Sequence, residues 1–302
     1  MIGYPNAGKS NILEAMSLFC NVDKPASLKN LMRFDSLNQL AYNGNYRNEI
    51  QVRLNEEKIK CVFDFNSANS GLLSFYQNSE EKSFFSISYS NGGSSFSMNG
   101  SSIERLDIVK YNFTQNVKLQ RNQFTNLSVP YGENLVSILE LYKDLRESIF
   151  LILKEYGLKF NFNQTTEELN LLKELDETTV LTIPIHLTAD SFQRLIFPKA
   201  AIASNQNSIL LFEEPEAHIF PPYIRQITQD IFENKNNNQY FITTHSTDIL
   251  QFFIDNEEVR NDLSVYILHY NQETKVTRIK DKDIIRVGQA GIDLYYNIEN
   301  FI

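Results

Sequence analysis

Gly3-Tyr4-Pro5-Asn6-Ala7-Gly8-Lys9-Ser10 satisfies the phosphate-loop pattern Gly-x-x-x-x-Gly-Lys-[Ser/Thr], and Asn11-Ile12-Leu13-Glu14-Ala15-Met16 continues it as a helix. Small residues in such a loop let backbone N–H groups close around phosphate oxygens, and the positive end of the following helix adds to the attraction. Gly3, Pro5, Asn6, Ala7, Gly8, Lys9, Ser10 and Asn11 are therefore expected to cradle a nucleoside triphosphate. Lys9 would reach the β- and γ-phosphates while the Ser10 hydroxyl ligates Mg²⁺. A glycine turn that merely leads into a helix is the competing reading of these residues.

Two distant segments extend the pattern. Ile209-Leu210-Leu211-Phe212 reads as a buried strand running into Glu213-Glu214-Pro215-Glu216, which puts two carboxylates at the carboxyl end of a parallel strand, where α/β folds bind ligands. Neighbouring side chains on a strand point to opposite faces, so two jobs are geometrically natural. Glu213 is expected to hold the metal, directly or through water, and Glu214 to orient and deprotonate an attacking water. Phe241-Ile242-Thr243-Thr244-His245-Ser246 then ends the next strand in an imidazole placed to sense a γ-phosphate. Taken alone, an acidic strand cap and a structural histidine are the plainer readings; the phosphate loop upstream joins the pieces into one chemistry. His186, His218 and His269 lack such a context, and His218 is only a candidate for a loop that meets a partner subunit.

Composition narrows the class. A chain of 302 residues, 42% hydrophobic, can bury a large core, and the expectation is a single composite α/β domain over 1–302. The net charge of −9 argues against a broad basic surface for nucleic acid. The richest local cluster, Lys275, Arg278, Lys280, Lys282 and Arg286, is interrupted by Asp281 and Asp283 and reads as a solvated face. Cys20 and Cys61 show neither metal-ligand spacing nor a disulfide framework, so free thiols are expected. Neither a long uninterrupted apolar run nor a secretory signal is present, and a cytoplasmic protein with no membrane partner is the expectation.

Along the chain, residues 1–20 hold the phosphate loop and its helix. Period-two alternation at Ile50–Leu54, Ile59–Phe65, Phe85–Tyr89 and Ser95–Met98, with turns at Asn55–Lys58 and Asn91–Gly93, predicts an antiparallel β lobe over 47–112. Helical spacing from Asn134 to Tyr156, and a further helical piece from Glu167 to Leu175, predict a helical insert over 130–180. Residues 185–302 follow with a helix over Phe192–Ala203, a strand over Ser208–Phe212, a helix over Ile224–Phe232 and a strand over Gln239–Thr243. That β-α-β order implies adjacent parallel strands. Val265–Tyr270 and Lys275–Ile279 predict a late hairpin.

Together the Gly-x-x-x-x-Gly-Lys-Ser-Asn-Ile-Leu-Glu-Ala stretch, Leu-Leu-Phe-Glu-Glu-Pro-Glu-Ala-His and Thr-Thr-His-Ser resemble the ABC-type ATPases of the SMC and RecF kind. Closest among these are the stand-alone AAA members grouped with the overcoming-lysogenization-defect ATPases. The likeness runs in order through most of the chain, including Tyr131-Gly132-Glu133-Asn134-Leu135. It implies a P-loop NTPase fold of the ABC-type ATPase-head kind, with a parallel core sheet, an antiparallel β lobe and a helical insert. It also implies ATP and Mg²⁺ as ligands, a homodimer closed around nucleotide, and an effector protein encoded separately, in DNA repair or phage defence. By similarity Lys9, Ser10, Glu213, Glu214 and His245 take the Walker A, Walker B, catalytic-base and switch roles. The signature segment corresponds to Leu187-Thr188-Ala189-Asp190-Ser191-Phe192-Gln193-Arg194, from which Ser191 and Arg194 would contact a γ-phosphate bound by the other subunit.

The chain departs from that family in three places. Ala189 and Ser191 stand where the signature usually carries Ser and Gly, which removes a hydroxyl and adds a side chain at a close backbone approach. Only Met1 and Ile2 precede Gly3, where relatives have a strand and an adenine-stacking aromatic, so either the start codon is assigned too late or this form lacks part of its nucleotide site. The Mg²⁺-sensing glutamine of relatives has only Gln115 as a counterpart. Two other readings stay open. One is a catalytically impaired, nucleotide-gated scaffold. The other is a GTPase of the Obg-like or Era-like type, whose first motif is also close to Gly-Tyr-Pro-Asn-Ala-Gly-Lys-Ser. Its guanine-reading Asn-Lys-x-Asp is replaced here by Asn234-Lys235-Asn236-Asn237.

Overall fold

The computed structural model describes residues 1–21, 28–54, 59–77, 85–90, 93–98, 107–115, 117–163 and 168–302. The expected turns at Asn55–Lys58 and Asn91–Gly92 lie outside these residues. The chain divides into two compact units, one made of Met1–Ser10 with Tyr111–Ile302 and the other of Asn11–Lys110.

Strand β1 (Ile2–Gly3) leads through the loop into helix α1 (Lys9–Ser17), which crosses from the first unit into the second. The second unit contains the short helix α2 (Leu28–Leu31) and the strands β2 (Ile50–Leu54), β3 (Ile59–Ser67), β4 (Ser70–Gln77), β5 (Phe85–Ser90) and β6 (Gly93–Met98). They form an antiparallel meander in the order β2-β3-β4-β5-β6. Alternation sends Cys61, Phe63, Leu73, Phe75 and Ile87 into its core. Phe19 packs edge-on to Phe75 at 6.0 Å between ring centroids. Burial pushes the Cys20 thiol up to about 12 and raises that of Cys61 as well, so both are inert structural cysteines. Strand β4 is an addition to the two hairpins read from the sequence. Its Ser70-Gly71-Leu72-Leu73-Ser74-Phe75 stretch lacks strict alternation because consecutive residues at its centre, Leu73, Ser74 and Phe75, are buried on both faces.

Strand β7 (Ile108–Tyr111) returns the chain to the first unit, where Tyr111 lies parallel to the ring of Phe212 at 6.3 Å and donates its hydroxyl to Leu127 O at 2.9 Å. Helices α3 (Leu135–Leu141) and α4 (Lys143–Glu155) follow as the spacing predicts. The rest of the expected helical insert is sheet: β8 (Leu158–Phe162), β9 (Leu169–Glu174) and β10 (Val180–Pro184) form an antiparallel unit in the order β10-β9-β8. The helical piece expected from Glu167 to Leu175 is thus strand β9 over its described residues. Leu, Lys and Glu favour helix, but pairing on both edges and the burial of Leu169 and Leu171 override that preference.

Helix α5 (Asp190–Ser204), strand β11 (Ile209–Glu213), helix α6 (Pro221–Glu233) and strand β12 (Gln239–Thr243) make the expected β-α-β unit, β11 and β12 running parallel with Ile209 opposite Gln239 and Glu213 opposite Thr243. Helices α7 (Thr247–Asp255) and α8 (Glu257–Arg260) lead to the hairpin of β13 (Tyr266–Asn271) and β14 (Glu273–Arg278), and α9 (Asp281–Ala290) closes the chain with a short 3-10 turn at Ile298–Phe301. Strand β1 pairs in parallel with β13, Gly3 opposite Leu268. On its other side the Met1 nitrogen donates to Ile242 O at 2.7 Å, and Thr244 N donates to Met1 O at 3.2 Å. Hydrogen bonding therefore runs from β11 through β12 and β1 to β13 and β14, with the carboxyl ends of β11, β12, β1 and β13 on one edge. Beneath this edge Ile2, Leu250, Ile254, Ile267, Ile284, Val287, Leu294 and Ile298 share one apolar cluster.

Gly3 has φ of +152°, and a Cβ there would lie 2.2 Å from Leu268 O. Neither the side chain nor a shift of the paired strand can be accommodated without breaking the β1–β13 ladder. Gly3→Ala is expected to destabilise the protein by on the order of 3 kcal/mol, read as a lowered midpoint in thermal unfolding by circular dichroism; an unchanged midpoint would contradict this packing.

Candidate functional site

The loop after β1 is shaped by its own backbone. Ala7 N donates to Tyr4 O at 3.3 Å, and Asn6 and Gly8 take left-handed φ of 59° and 90°, which aims the chain into the first turn of α1. Gly8 is also held closely from behind, since a Cβ on it would lie 2.4 Å from Thr274 Oγ1 on β14. Ala7 is buried; Ser10 and Asn11 stand in the first turn of α1, Asn11 exposed. That turn carries no acidic side chain to neutralise the positive helix end. Lys9 is only 7% exposed, and its Nζ donates to Gly3 O at 2.9 Å and Tyr4 O at 3.0 Å. Burial lowers its pKa, while the negative charge of Glu214 nearby works in the opposite direction.

Glu213 ends β11, half-buried behind the fully buried Leu210 and Leu211. Glu214 turns the chain off the strand with φ of 45°, its N–H donating to Thr243 O at 2.9 Å. A non-glycine residue in this conformation costs roughly 1–3 kcal/mol and persists only where its surroundings hold it. The turn aims Glu214 Oε1 at His245 Nε2, 3.4 Å away, with both side chains 41% exposed. Lys9, Glu214 and His245 thus converge from three separate strand ends.

Glu216 is the residue at this edge that the sequence reading passed over. Its Oε1 accepts from Thr244 Oγ1 at 2.7 Å and from His245 N at 2.8 Å, so it ties the turn after β11 to the turn after β12. Thr244 is gripped further: its Oγ1 accepts from Ser246 N at 2.9 Å and its carbonyl accepts from Tyr295 Oη at 2.8 Å. Ser246 in turn caps α7 by accepting from Ile249 N. A carboxylate three residues past Glu213 on a proline turn was the only trace of this in the sequence. Two buried oxygens on the same edge, Glu216 Oε2 and Thr243 Oγ1, have no hydrogen-bond partner among the described residues.

The signature-like segment forms a separate set of contacts. Asp190 opens α5 and accepts from Arg194 Nε and from Gln115 Nε2, each at 2.7 Å. Burial pushes the Asp190 carboxyl up, but those two donors outweigh it and leave its pKa below the ordinary value. Arg194 lies over the Phe113 ring at 4.7 Å, and Ser191 Oγ donates to His218 O at 3.0 Å. Gln115, the counterpart considered for a Mg²⁺ sensor, is engaged with Asp190 and not with the phosphate loop. The Asn234–Asn238 segment stands at the amino end of β12, opposite the edge that carries His245. Its side-chain amides donate to Ile202 O, Ala203 O and Asn205 O, which ties it to the carboxyl end of α5.

Among the described residues no helix is long and apolar enough to cross a membrane, and no group of three or more His, Cys, Asp or Glu side chains forms a metal cluster. The Ser10 hydroxyl and the Glu213 carboxylate are hard oxygen donors of the kind Mg²⁺ takes, and an ion held by so few side chains would keep several waters and draw its other ligands from phosphates.

The chain matches, over residues 1–251, the model of a family described as "AAA domain, putative AbiEii toxin, Type IV TA system", and it belongs to that family. The mixed α/β architecture with its parallel strands is accordingly that of a P-loop ATPase domain. No protein of curated function matches. Among solved structures, the SMC head bound to the C-terminal winged-helix domain of ScpA is 13% identical, covering 94% of this chain and 90% of that one with a TM-score of 0.48. The Pyrococcus furiosus Smc head with an extended coiled coil, bound to the C-terminal domain of ScpA, is 12% identical, with 96% and 92% coverage and a TM-score of 0.45. The SMC head domain from Thermotoga maritima is 14% identical, with 92% and 89% coverage and a TM-score of 0.37.

The depressed Asp190 carboxyl makes a prediction about stability against pH. Its ionised form is favoured in the folded state, so its contribution is present above the unfolded pKa of about 4 and is lost as pH falls through the lower folded value. The unfolding free energy of wild type minus that of Asp190→Asn, from urea titrations, is expected to be constant above a pH of about 5 and to shrink below about 4. A difference independent of pH would contradict it.

Proposed function

We propose that this member of the AAA-domain family binds Mg²⁺–ATP at the edge formed by the phosphate loop, Glu213, Glu214 and His245, and hydrolyses it. The observation that carries the reading is convergence: the Lys9 ammonium lies within electrostatic reach of Glu214, and Glu214 lies 3.4 Å from His245. The fit to a triphosphate rests on the glycine-shaped loop, on an α1 amino end free of acidic side chains, and on the unpartnered buried oxygen of Thr243.

In this reading the backbone N–H groups from Asn6 to Ser10 take phosphate oxygens, and Lys9 exchanges its two loop carbonyls for the β- and γ-phosphates. Ser10 and Glu213 would hold Mg²⁺, which would supply positive charge to offset that of the phosphates. Glu214 orients a water whose oxygen bonds to the γ-phosphorus as the bond to the β-phosphate oxygen breaks, and the carboxylate takes the water's proton. His245 donates to the γ-phosphate, so its position reports whether that group is present.

The same reading has two copies close around nucleotide, with Ser191 and Arg194 of each meeting the γ-phosphate held by the other. To do so they must release His218 O and Asp190. A separately encoded effector, in DNA repair or defence against phage, completes this reading by family analogy. That Ala189 and Ser191 replace the usual signature residues, with the Ser191 hydroxyl already spent on His218 O, favours a second reading, a nucleotide-gated scaffold that does not turn over.

Phosphate release and ATP affinity separate the two. Wild type is expected to release phosphate. Glu214→Gln should bind ATP with near-wild-type affinity, lose turnover by on the order of a hundredfold or more, and accumulate as an ATP-bound dimer in light scattering. Lys9→Ala should lose ATP binding. Binding without turnover by wild type would favour the scaffold, and no ATP binding by wild type would overturn both.

A further inference from the structure

Resting on the ATPase reading above, we infer that Glu216 is a positioning residue for the switch histidine and that Tyr295, from the C-terminal segment, is its second strut. The backbone of His245 is held by one carboxylate oxygen: Glu216 Oε1 accepts both the His245 N–H at 2.8 Å and the Thr244 hydroxyl at 2.7 Å. The His245 side chain, by contrast, is 41% exposed and touches Glu214 at 3.4 Å. An exposed imidazole can be aimed only if its backbone is fixed, and Glu216 supplies that fixation.

The anchor is itself locked. Pro215 precedes it, and the turn around it closes through Ala217 N to Glu214 O at 2.9 Å and Ile219 N to Glu216 O at 3.0 Å. Across the loop Tyr295 Oη donates to Thr244 O at 2.8 Å, and the Tyr295 N–H is held by Asp293 Oδ1 at 2.8 Å. Thr244 is therefore gripped through its hydroxyl by the segment after β11 and through its carbonyl by residues near the chain's end. Leu294 and Ile298, on either side of Tyr295, are buried in the cluster that also holds Ile2 of β1. The strut, the switch turn and the phosphate-loop strand thus share one core.

Glu216 Oε2 is buried and unpartnered. Half of this carboxylate is consequently not needed for the clamp, which separates hydrogen bonding from charge experimentally. Glu216→Gln keeps an amide oxygen to accept from Thr244 and His245, while Glu216→Ala keeps neither. A positioning role requires that kcat fall while ATP affinity stays, because the phosphate loop is untouched.

The test uses the full chain with ATP and Mg²⁺, measuring kcat by phosphate release, ATP affinity by equilibrium binding, and amide hydrogen exchange at His245. Glu216→Ala is expected to lose about tenfold to a hundredfold in kcat with ATP affinity within about threefold of wild type, and to lose protection of the His245 amide. Glu216→Gln should recover most of both, and Tyr295→Phe should lose a smaller part of kcat. Wild-type turnover in Glu216→Ala, or an equal loss in Glu216→Gln, overturns the inference while leaving the ATPase reading standing. Loss of ATP affinity in step with kcat overturns it in favour of a purely structural role. Absence of turnover by wild type overturns the ATPase reading and this inference together.

Discussion

Every group at the candidate site depends on a two-residue strand, Ile2–Gly3, being held between β12 and β13 by backbone hydrogen bonds. The Met1 nitrogen to Ile242 O and Thr244 N to Met1 O fix one side, and the parallel pairing of Gly3 with Leu268 fixes the other. Gly3 is required because its neighbour's carbonyl occupies the space of a Cβ. Once the strand is seated, the loop leaves the sheet beside the ends of β11 and β12, and Lys9 comes within electrostatic reach of Glu214. Apolar burial supplies the driving force. Ile2 and Ile267 are fully excluded from solvent within a cluster that draws on α7, α9 and the final turn. The candidate site is thereby seated on an apolar core.

Electrostatics in the site is a balance between desolvation and compensation. Lys9 is buried, which disfavours its charge, and two loop carbonyls take two of its three donors. A triphosphate that replaces those carbonyls offers the ammonium stronger, charge-assisted partners, so the lysine can pass from a self-satisfied to a ligand-satisfied state without exposing an unpaired charge. Glu214 shows the complementary arrangement. Its left-handed backbone is held by a hydrogen bond to Thr243 and by the turn that Glu216 anchors, and its side chain remains open to water. The acidic groups that hold backbone and those that face solvent are different residues, and this division lets the turn be stiff while the reactive edge stays accessible.

How much of this was legible in the sequence follows from where each feature's determinants lie. The phosphate loop, the Glu213-Glu214 strand end and the Thr243-Thr244-His245 strand end are local patterns, and their strands and helices fall within a few residues of the expected bounds. Four strands of the β lobe were visible because half-buried antiparallel strands alternate, whereas β4 between them, buried at consecutive positions, does not alternate and was missed. Strand β9 was not visible either. Its Leu-rich stretch with Lys and Glu satisfies a helical spacing, and only the edges of β8 and β10, supplied by other segments, make it extended. The role of Glu216 was hidden for the same reason: its partners, Thr244 and His245, lie about thirty residues on, and nothing in Pro215-Glu216-Ala217 announces them. Nor does Tyr295 read as a partner of Thr244 until the C-terminal segment is seen to fold back on it. Local motifs mark the candidate groups; long-range pairing decides what holds them in place.

The central claim is that a γ-phosphate sits between Lys9 and the Glu214–His245 pair. A crystal structure of Glu214→Gln grown with ATP and Mg²⁺ tests it most directly. The γ-phosphate is expected within hydrogen-bond distance of both Lys9 Nζ and the His245 imidazole, with Ser10 Oγ on the metal. A triphosphate bound at any other surface, or one seated on the loop with His245 turned away, would contradict it.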